Sequence, residues 1–304
     1  MESIARTFNN KKLKRLVNVY QLNYTNGVAQ GLGDYIRGCF CLMQVSSLLG
    51  LQFDMDLTNH PMSKFLVNED NWVKYDVKYN KIAKYENINY IPVNSKVFKK
   101  DSVRFLIGFI EKMNSLDCGS SDNFFTFCNS FPMFDNVKDM SRYFIRSKLQ
   151  PNEKMQQYIN DSLNKLHLKP KQYAVIHIRS GDKYMLKNNQ INPQVLKKIA
   201  ATLSTNMKSG TKYLVLSDNN QIKILLKNIF PQLVIQMTHI AHLGESVDPS
   251  DQAIMETLLD FYLMSNAFQI IGFSPYNWGS GFSQWCSILY NIPFVQIQVL
   301  DYLS

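Results

Sequence analysis

The sequence predicts an α/β protein of two domains, each built around a parallel β-sheet. Three observations predict this class. The chain has 304 residues, more than most single hydrophobic cores contain. Apolar residues make up 45% of it and aromatic residues 12%, which is ample for folded cores. The second half alternates apolar runs with amphipathic segments, the pattern of a parallel sheet covered by helices.

Each strand and helix of the second half can be predicted from its sequence pattern. Asn192 and Pro193 supply a cap and a first-turn proline to a helix, and Asp218 or Asn219 caps the next one. The predicted strands are residues 173–178, 213–216, 233–237, 268–272 and 294–299. The predicted helices are residues 194–203, 221–230, about 248–266 (opened by Asp248, Pro249 and Ser250) and 281–290. Five strands with intervening helices indicate a Rossmann-like domain over residues 168–304.

The first half begins with the same alternation of strand and helix patterns, but this alternation is no longer clear further along the chain. The predicted elements are strands at 16–22 and 51–57 and helices at 34–49, 101–115 and 151–166. The segment LKPK follows the last helix, so we place the domain boundary near residue 168. Residues 1–167 are thus expected to form a second Rossmann-like domain.

Charge and cysteine content narrow the function classes. The net charge of +9 fits an anionic partner, but KKLKR at 11–15 is the only dense basic block. Because no nucleic-acid-binding motif accompanies it, no nucleic-acid partner is expected. The five cysteines lack zinc spacing and are expected to be free thiols in a reducing compartment.

The sequence also gives an expectation for the cellular compartment and the source of the protein. No segment resembles a signal peptide or reaches the roughly 18 apolar residues of a membrane span, so a cytoplasmic protein is expected. The lysine- and asparagine-rich composition suggests a bacterial, protist or large-virus source. The oligomeric state is not indicated.

A glycine turn, GVAQGLGDYIRG at 27–38, lies between a strand and a helix. Gly31 and Gly33 would let the backbone approach a phosphate at the helix N-terminus. The alternative is a plain turn with Asp34 as the helix cap.

The stretch YAVIHIRSGDKY at 173–184 runs from an apolar strand into a cluster of charge. The Arg179 guanidinium follows the strand directly and matches a diphosphate in geometry. His177 is either a neutral core histidine bonded to the backbone or a catalytic group. Asp182 could cap a turn, orient Arg179 or take a proton, and Lys183 lies beside it.

Polar residues recur where later strands end. Ser217 and Asp218 follow the second strand and would bind a ribose or base, or cap the next helix. Asp260 is the one charge in the apolar helical septet LLDFYLM, so it should face a polar cleft or have a partner. The loop at 272–280 leads into a helix whose start, with Ser283 and Gln284, is a plausible anion cradle.

Taken in order, GxGD before a helix, HxRxxDK after a strand, a strand ending in SD, LLDFYLMSNA and a serine-glutamine helix start resemble the fucosyltransferase superfamily. This superfamily contains α1,6-, α1,2- and protein O-fucosyltransferases. The resemblance spans residues 27–38 and nearly all of 173–290. It implies a GT-B-like fold of two Rossmann-type domains facing each other across a cleft. The second domain would bind GDP-fucose, and fucose would be transferred with inversion and without a metal.

The resemblance also assigns roles to residues. Arg179 matches the arginine that holds the donor diphosphate, with His177 and Asp182 as its neighbours. Asp218 matches an acidic position after the second strand, and Asp260 a carboxylate near the guanine or ribose. The remaining matches are to phosphate contacts (Ser283, Gln284) and to the glycine turn of the first domain (Gly31, Gly33).

The sequence departs from the α1,6-type pattern at Ser180, which follows Arg179 where several members have a second arginine. The leading hypothesis is a metal-independent, inverting fucosyltransferase acting on a glycan hydroxyl, with Asp182 and Asp34 as candidate bases. One alternative is a GT-B enzyme that uses another nucleotide sugar. The other is a catalytically silent protein that binds a nucleotide sugar or a glycan.

Overall fold

The chain forms two compact units, Met1–Gln150 and Pro151–Ser304, in a computed structural model. The structure describes residues 1–20, 31–58, 60–67, 83–84, 95–116, 122–180, 185–187, 190–241, 243, 249–276 and 279–299. Both units are mixed α/β with parallel sheets, which confirms that part of the predicted fold class. Across these described ranges, no helix combines the length and hydropathy needed to span a membrane.

Unit 1 is built on a four-stranded sheet in the order β2-β1-β4-β3, with parallel pairing throughout. Its strands are β1 (Arg15–Val19), β2 (Gln52–Asp56), β3 (Ala83–Lys84) and β4 (Asn123–Phe127). Its helices are α1 (Glu2–Ala5), α2 (Leu32–Leu49), a 3-10 turn (Pro61–Phe65), α3 (Ser95–Ser115) and α4 (Asp139–Lys148).

The core of unit 1 packs α2 and α3 against β1 and β4. It contains Leu16, Leu42, Phe109 and Phe124, all buried. Gly38 permits an unusually close approach of α2 to the end of β4. A Cβ atom built at Gly38 would lie 1.7 Å from the carbonyl oxygen of Cys128, so any side chain there collides with backbone.

Unit 2 is built on a five-stranded parallel sheet in the order β11-β10-β5-β8-β9. Its strands are β5 (Tyr173–Ile178), β8 (Lys212–Ser217), β9 (Val234–Ile235), β10 (Gln269–Ser274) and β11 (Phe294–Gln298), with a separate antiparallel pair of β6 (Leu186–Lys187) and β7 (Gln190–Ile191). Its helices are α5 (Glu153–Lys165), α6 (Pro193–Asn206), α7 (Asn220–Ile229), α8 (Asp251–Ser265) and α9 (Gly281–Tyr290).

The two faces of β5 are covered by different helices. Ala174, Ile176 and Ile178 belong to a buried cluster that also includes residues of α6 and α7. On the opposite face, the Tyr173 hydroxyl donates to the Leu263 carbonyl of α8 at 2.6 Å, and α8 packs against α9. The central strand is therefore buried on both sides, as its continuous apolar run predicts.

The predicted domain boundary is wrong by 17 residues, because the units divide after Gln150 and not after residue 167. Helix α5 lies in unit 2, where it packs against α8. A polar helix followed by LKPK resembles a linker in sequence, but its buried side, including Met155 and Ile159, belongs to the second core.

The cysteines described by the structure are Cys39, Cys41, Cys128 and Cys286, all of them free and buried. This agrees with the prediction of free thiols, and Cys118 lies outside the described residues. Burial raises the pKa of Cys39 and Cys286, so both are held as neutral thiols.

We expect Gly38→Ala to destabilise the protein by about 3 kcal/mol or more, since the new methyl group must displace the backbone of Cys128 and Asn129, just after β4. Gly108→Ala is the matched control, because Gly108 also lies in a helix but its added Cβ meets nothing within 4 Å. That change should be stabilising by up to about 1 kcal/mol through helix propensity. Urea unfolding of both variants measures the difference. Equal stability of the two variants would contradict the close approach.

Candidate functional site

The carboxyl ends of β5, β8 and β10 lie level with one another. Ile178, the last residue of β5, is in register with Ser217 of β8 and with Phe273 of β10. The Arg179 N–H continues this ladder by donating to the Phe273 carbonyl at 2.9 Å. The residues that follow these three strands therefore share one edge of the sheet, where α/β proteins bind ligands.

Arg179 is held at this edge by Asp218. Arg179 Nη1 lies 2.7 Å from Asp218 Oδ2, and Asp218 Oδ1 accepts from the Ser180 N–H at 2.8 Å. The Arg179 side chain nevertheless remains 25% exposed. The carboxylate fixes the guanidinium in place while leaving part of it open to solvent, which suits the binding of an anion.

Asp218 and Ser217 have other roles than helix capping. Asn219 is the cap of α7, accepting from the N–H groups of Gln221 and Ile222. Ser217 Oγ accepts from the Asn219 N–H at 3.1 Å. Of the predicted alternatives for Asp218, capping is thus wrong. The orienting role that the sequence offered for Asp182 is performed by Asp218, since both of its oxygens are used around Arg179.

His177 is buried in the central strand, as a core histidine would be. Its Nδ1 lies without a hydrogen-bond partner among the described residues, in contrast to the expected bond to backbone. Burial lowers the pKa of His177 to about 4, so the imidazole is neutral at physiological pH. A buried ring nitrogen that bonds none of the described residues is available to a ligand.

Helix α9 begins beside His177. The rings of His177 and Phe282 are 5.8 Å apart, and Ser283 is buried with its Oγ 3.5 Å from the Ser280 carbonyl. Gly272 of β10 allows this contact, because a Cβ there would lie 2.9 Å from the Phe294 ring and 3.5 Å from Ser283 Oγ. The first turn of α9 thus approaches the sheet edge closely.

The start of α9 has the features of an anion site that the sequence predicts. First-turn N–H groups of a helix lack acceptors within the helix, and the helix dipole adds positive potential there. Gln284 follows in the same turn, half-buried, with its N–H donating to the Ser280 carbonyl at 3.0 Å.

Asp260 of α8 is buried, as its apolar sequence neighbours imply. Within the described part of the chain, its Oδ1 atom has no hydrogen-bond partner. Burial raises the pKa of Asp260 to about 7, against the opposing effect of Lys223. The carboxylate therefore titrates close to neutral pH.

Lys223, a residue that sequence reasoning missed, is completely buried, and its charge lowers the pKa of Asp260. Its Nζ donates to the Gln236 carbonyl and to Thr238 Oγ1, each at 2.9 Å. Burial lowers the pKa of Lys223, with Asp260 and Asp218 opposing the change. The only sequence signal for this burial was the position of Lys223 in the helix. It follows buried Ile222 directly and precedes buried Leu226 by three residues, so it lies near the buried face.

The predicted residues of the first half lie in unit 1. Gly31 is the N-cap of α2 and Gly33 is buried in its first turn. The alternative with Asp34 as helix cap is wrong, because Asp34 lies inside the first turn and pairs with Arg37 at 3.1 Å. Asp182 and Lys183 fall outside the described residues.

Comparison with solved structures identifies the fold. NodZ α-1,6-fucosyltransferase crystallised with GDP matches 94% of this chain and 95% of its own, with a TM-score of 0.55 at 11% identity. NodZ from Bradyrhizobium covers 96% of this chain and 98% of its own, at a TM-score of 0.53 and 11% identity. A mutant of Arabidopsis thaliana FUT1 in complex with GDP covers 97% of this chain and 73% of its own, with a TM-score of 0.55 at 11% identity.

This chain has the fold of these fucosyltransferases. The resemblance that the motifs predict is thereby confirmed at the level of the fold. No protein-family model matches the sequence, and no curated protein matches it significantly. In the ranges that the structure describes, no group of three or more His, Cys, Asp or Glu side chains is placed to hold a metal ion.

His177 and Asp260 have opposite effects on the pH dependence of stability. The pKa of Asp260 is raised on folding from 3.8 to about 7, so its contribution to stability falls as pH rises through this window. The pKa of His177 is lowered from 6.5 to about 4, so its contribution is lost as pH falls through that range. The two slopes oppose each other where the windows overlap.

We expect Asp260→Asn to stabilise the ligand-free protein more at about pH 8 than at about pH 5, by about 2 to 3 kcal/mol, because only the charged carboxylate is costly to bury. Urea unfolding at the two pH values measures this difference. Asp251→Asn, which removes a carboxylate from an exposed position of the same helix, is the control. A stability gain that is equal at both pH values would contradict a raised pKa for Asp260.

Proposed function

We propose that this protein is an inverting, metal-independent glycosyltransferase that moves fucose from GDP-fucose to a hydroxyl of a glycan. One observation carries the proposal. Arg179 is fixed by Asp218 at 2.7 Å, at the carboxyl edge of a parallel sheet, in a fold shared with fucosyltransferases crystallised with GDP. The motif arginine of the sequence resemblance is therefore a partly exposed cation in a pre-set orientation.

The diphosphate would bind between Arg179 and the start of α9. A guanidinium and a helix N-terminus both favour negative charge, and neither needs to reorganise when the charge develops. Ser283 and Gln284 lie in the first turn of α9, where the resemblance implies phosphate contacts. Ser180 donates its N–H to Asp218 and so contributes to the orientation of Arg179, at the position where a second arginine stands in some members.

Guanine is the base favoured by Asp260. An ionised carboxylate accepts two hydrogen bonds side by side, and the guanine edge offers two neighbouring N–H donors, N1–H and the 2-amino group. Asp260 Oδ1, which has no partner among the residues that the structure describes, would be an acceptor of this kind. His177 Nδ1, likewise without a partner in the described ranges, would add a second polar contact for the nucleotide.

The transfer step would proceed by direct displacement. The acceptor oxygen forms a bond to the anomeric carbon while the bond from that carbon to the β-phosphate oxygen breaks, and GDP leaves with the bonding electrons. Arg179 and the α9 N-terminus stabilise the departing diphosphate, a role that a metal ion fills in other transferases. The acceptor proton passes to a carboxylate, for which Asp182 and Asp34 are the candidates.

We further propose that the two units bind different substrates. Unit 2 would hold the donor, because the residues around Arg179 belong to it. Unit 1 would supply the acceptor side, with the turn at Gly31 and Gly33 facing the donor across a GT-B cleft.

We expect GDP to stabilise the protein against heat, and UDP and ADP to do so much less. At about a hundredfold excess over Kd, binding adds about 2.7 kcal/mol, which corresponds to a Tm increase of roughly 5 °C or more. Arg179→Ala should weaken GDP binding about 10- to 100-fold, since it removes a charge-assisted hydrogen bond. Thermal-shift titration and calorimetry measure both effects.

Arg142→Ala is the matched control for that variant. Arg142 also pairs with an aspartate at 2.7 Å, but it lies on α4 of unit 1. Its replacement should leave GDP affinity unchanged. Stabilisation by none of the three nucleotides would refute the proposed function.

We expect a donor screen by mass spectrometry to show transfer or slow donor hydrolysis with GDP-fucose, and undiminished rates in excess EDTA. The screen uses a panel of sugar nucleotides with simple glycan acceptors. Turnover of a different sugar nucleotide would support the alternative GT-B enzyme. Binding of GDP-fucose with neither transfer nor hydrolysis would support the silent binding protein.

A further inference from the structure

Arg37 of α2 is a buried guanidinium in unit 1, with 4% of its side chain exposed. Burying a charged group is costly unless other groups compensate it. Two residues that follow β4 do so. Arg37 Nε donates to the Asn129 carbonyl at 2.6 Å, and Arg37 Cζ lies 4.3 Å from the centre of the Phe131 ring. Arg37 is therefore held from two sides by the same short segment of chain.

The backbone that holds Arg37 is itself fixed. The Asn18 side chain of β1 accepts from the Cys128 N–H at 2.8 Å and donates to the Cys128 carbonyl at 3.2 Å. A Cβ atom at Gly38, the residue after Arg37, would lie 1.7 Å from that carbonyl oxygen and 2.8 Å from the Asn129 nitrogen. Helix α2 thus lies directly against this segment, and the position of the guanidinium is set by closely packed backbone.

From this position Arg37 reaches Asp34, one turn earlier on α2. Arg37 Nη1 lies 3.1 Å from Asp34 Oδ1. The nitrogens of a guanidinium share one plane, so the bond from Nε to Asn129 also sets the direction in which Nη1 points. The Asp34 side chain is 36% exposed. The pair therefore consists of an accessible carboxylate and a buried cation that orients it.

This pair lies at the edge of the sheet where unit 1 would bind a ligand. Strands β1 and β4 are parallel, with Asn18 in register with Thr126, so the residues after both strands share one edge. Arg37 bonds both Asp34 and Asn129, and Asn129 follows the end of β4 by two residues. Asn129 Oδ1 is buried and bonds nothing in the part of the chain that the structure describes, so it is available to accept from a ligand hydroxyl.

We propose that Asp34 is the general base of fucosyl transfer and that Arg37 is the residue that positions it. The inference rests on the proposed function, since it decides between the two carboxylates named there as proton acceptors. The acceptor oxygen bonds to the anomeric carbon and gives its proton to Asp34, while the bond to the β-phosphate oxygen breaks and GDP leaves with the bonding electrons. A base that is oriented by a third group is the general arrangement for activating a nucleophile. Arg37 acts through Asp34, because the guanidinium itself is buried.

The test compares two nucleophiles, water and azide, in the release of GDP from GDP-fucose. Water must lose a proton when it attacks the anomeric carbon, so it needs the base. Azide is an anion with no proton to lose: its nitrogen bonds to the anomeric carbon, GDP leaves, and fucosyl azide forms. A variant that lacks only the base should therefore be slow with water and unimpaired with azide. Chromatography measures the released GDP, and mass spectrometry identifies the sugar product.

We expect Asp34→Asn to slow the release of GDP by water about 100-fold or more, which is the typical contribution of a general base. Arg37→Lys keeps the charge but loses the planar guanidinium, so it should slow the same reaction about 10- to 100-fold through misplacement of Asp34. Both variants should react with azide at the rate of the parent protein. In an Asp34→Asn background, Arg37→Lys should have no further effect on release by water, because the base through which it acts is gone.

Arg142→Lys is the matched control. Arg142 also pairs with an aspartate three residues earlier, Asp139, on a helix of the same unit and at 2.7 Å. Its replacement by lysine should leave the reactions with water and with azide unchanged.

The outcomes distinguish the inference from the proposed function. If the parent is active and Asp34→Asn or Arg37→Lys releases GDP with water as fast as the parent, the inference is overturned and the proposed function stands. The same holds if a variant is slowed by one factor with both nucleophiles, since a purely structural role gives that result. A parent that releases GDP with neither nucleophile overturns both. If Arg37→Lys fails to fold, Phe131→Leu removes the ring against Arg37 and should show the same pattern with a smaller effect.

Discussion

The parallel register of β8, β5 and β10 is the constraint on which the candidate site depends. Because the three strands end level, Arg179, Asp218 and the segment leading to α9 meet at one edge without long side chains having to reach across the sheet. A shift of one residue in β5 would turn His177 to the opposite face and move Arg179 away from Asp218. The ion pair, the buried imidazole and the helix N-terminus are thus consequences of a single backbone alignment.

The sequence predicted the fold best in segments where one pattern of apolar residues clearly favours a single type of secondary structure. Strand β5 and helix α9 were predicted at their observed bounds. An unbroken apolar run is typical of a buried strand, and an amphipathic segment that begins at a glycine is typical of a helix, so few other structures fit these two segments. Strand β4, NFFTF, was not recognised, since an apolar run of five residues does not by itself separate a strand from a helix. The position of α5 depends on which core accepts its apolar side, and that is a tertiary choice that local patterning does not record.

The site shows the same division between local and tertiary information. Residues directly after strands, such as Arg179 and Asp218, could be found because α/β folds bind ligands at the carboxyl ends of their parallel strands. Their partnership could not: the sequence offers Asp182, three residues away, as one group that could orient Arg179, and the carboxylate that the structure pairs with Arg179 lies 39 residues away along the chain. Lys223 was missed for a related reason: a single lysine in an amphipathic helix is ordinarily a surface residue, and here the chain that follows β9 covers it.

The buried polar groups of unit 2 have a consequence for laboratory evolution of this protein. His177, Lys223 and Asp260 are each held in an environment that disfavours the charged form of the group. Natural proteins often keep such costly groups where they bind ligands, and stability gained by removing them tends to be gained at the expense of function. A selection for heat resistance in the absence of nucleotide would reward replacement of these three side chains early. A library selected in that way would be more stable but would have lost polar side chains of the candidate site, so the nucleotide proposed as ligand should be present during selection.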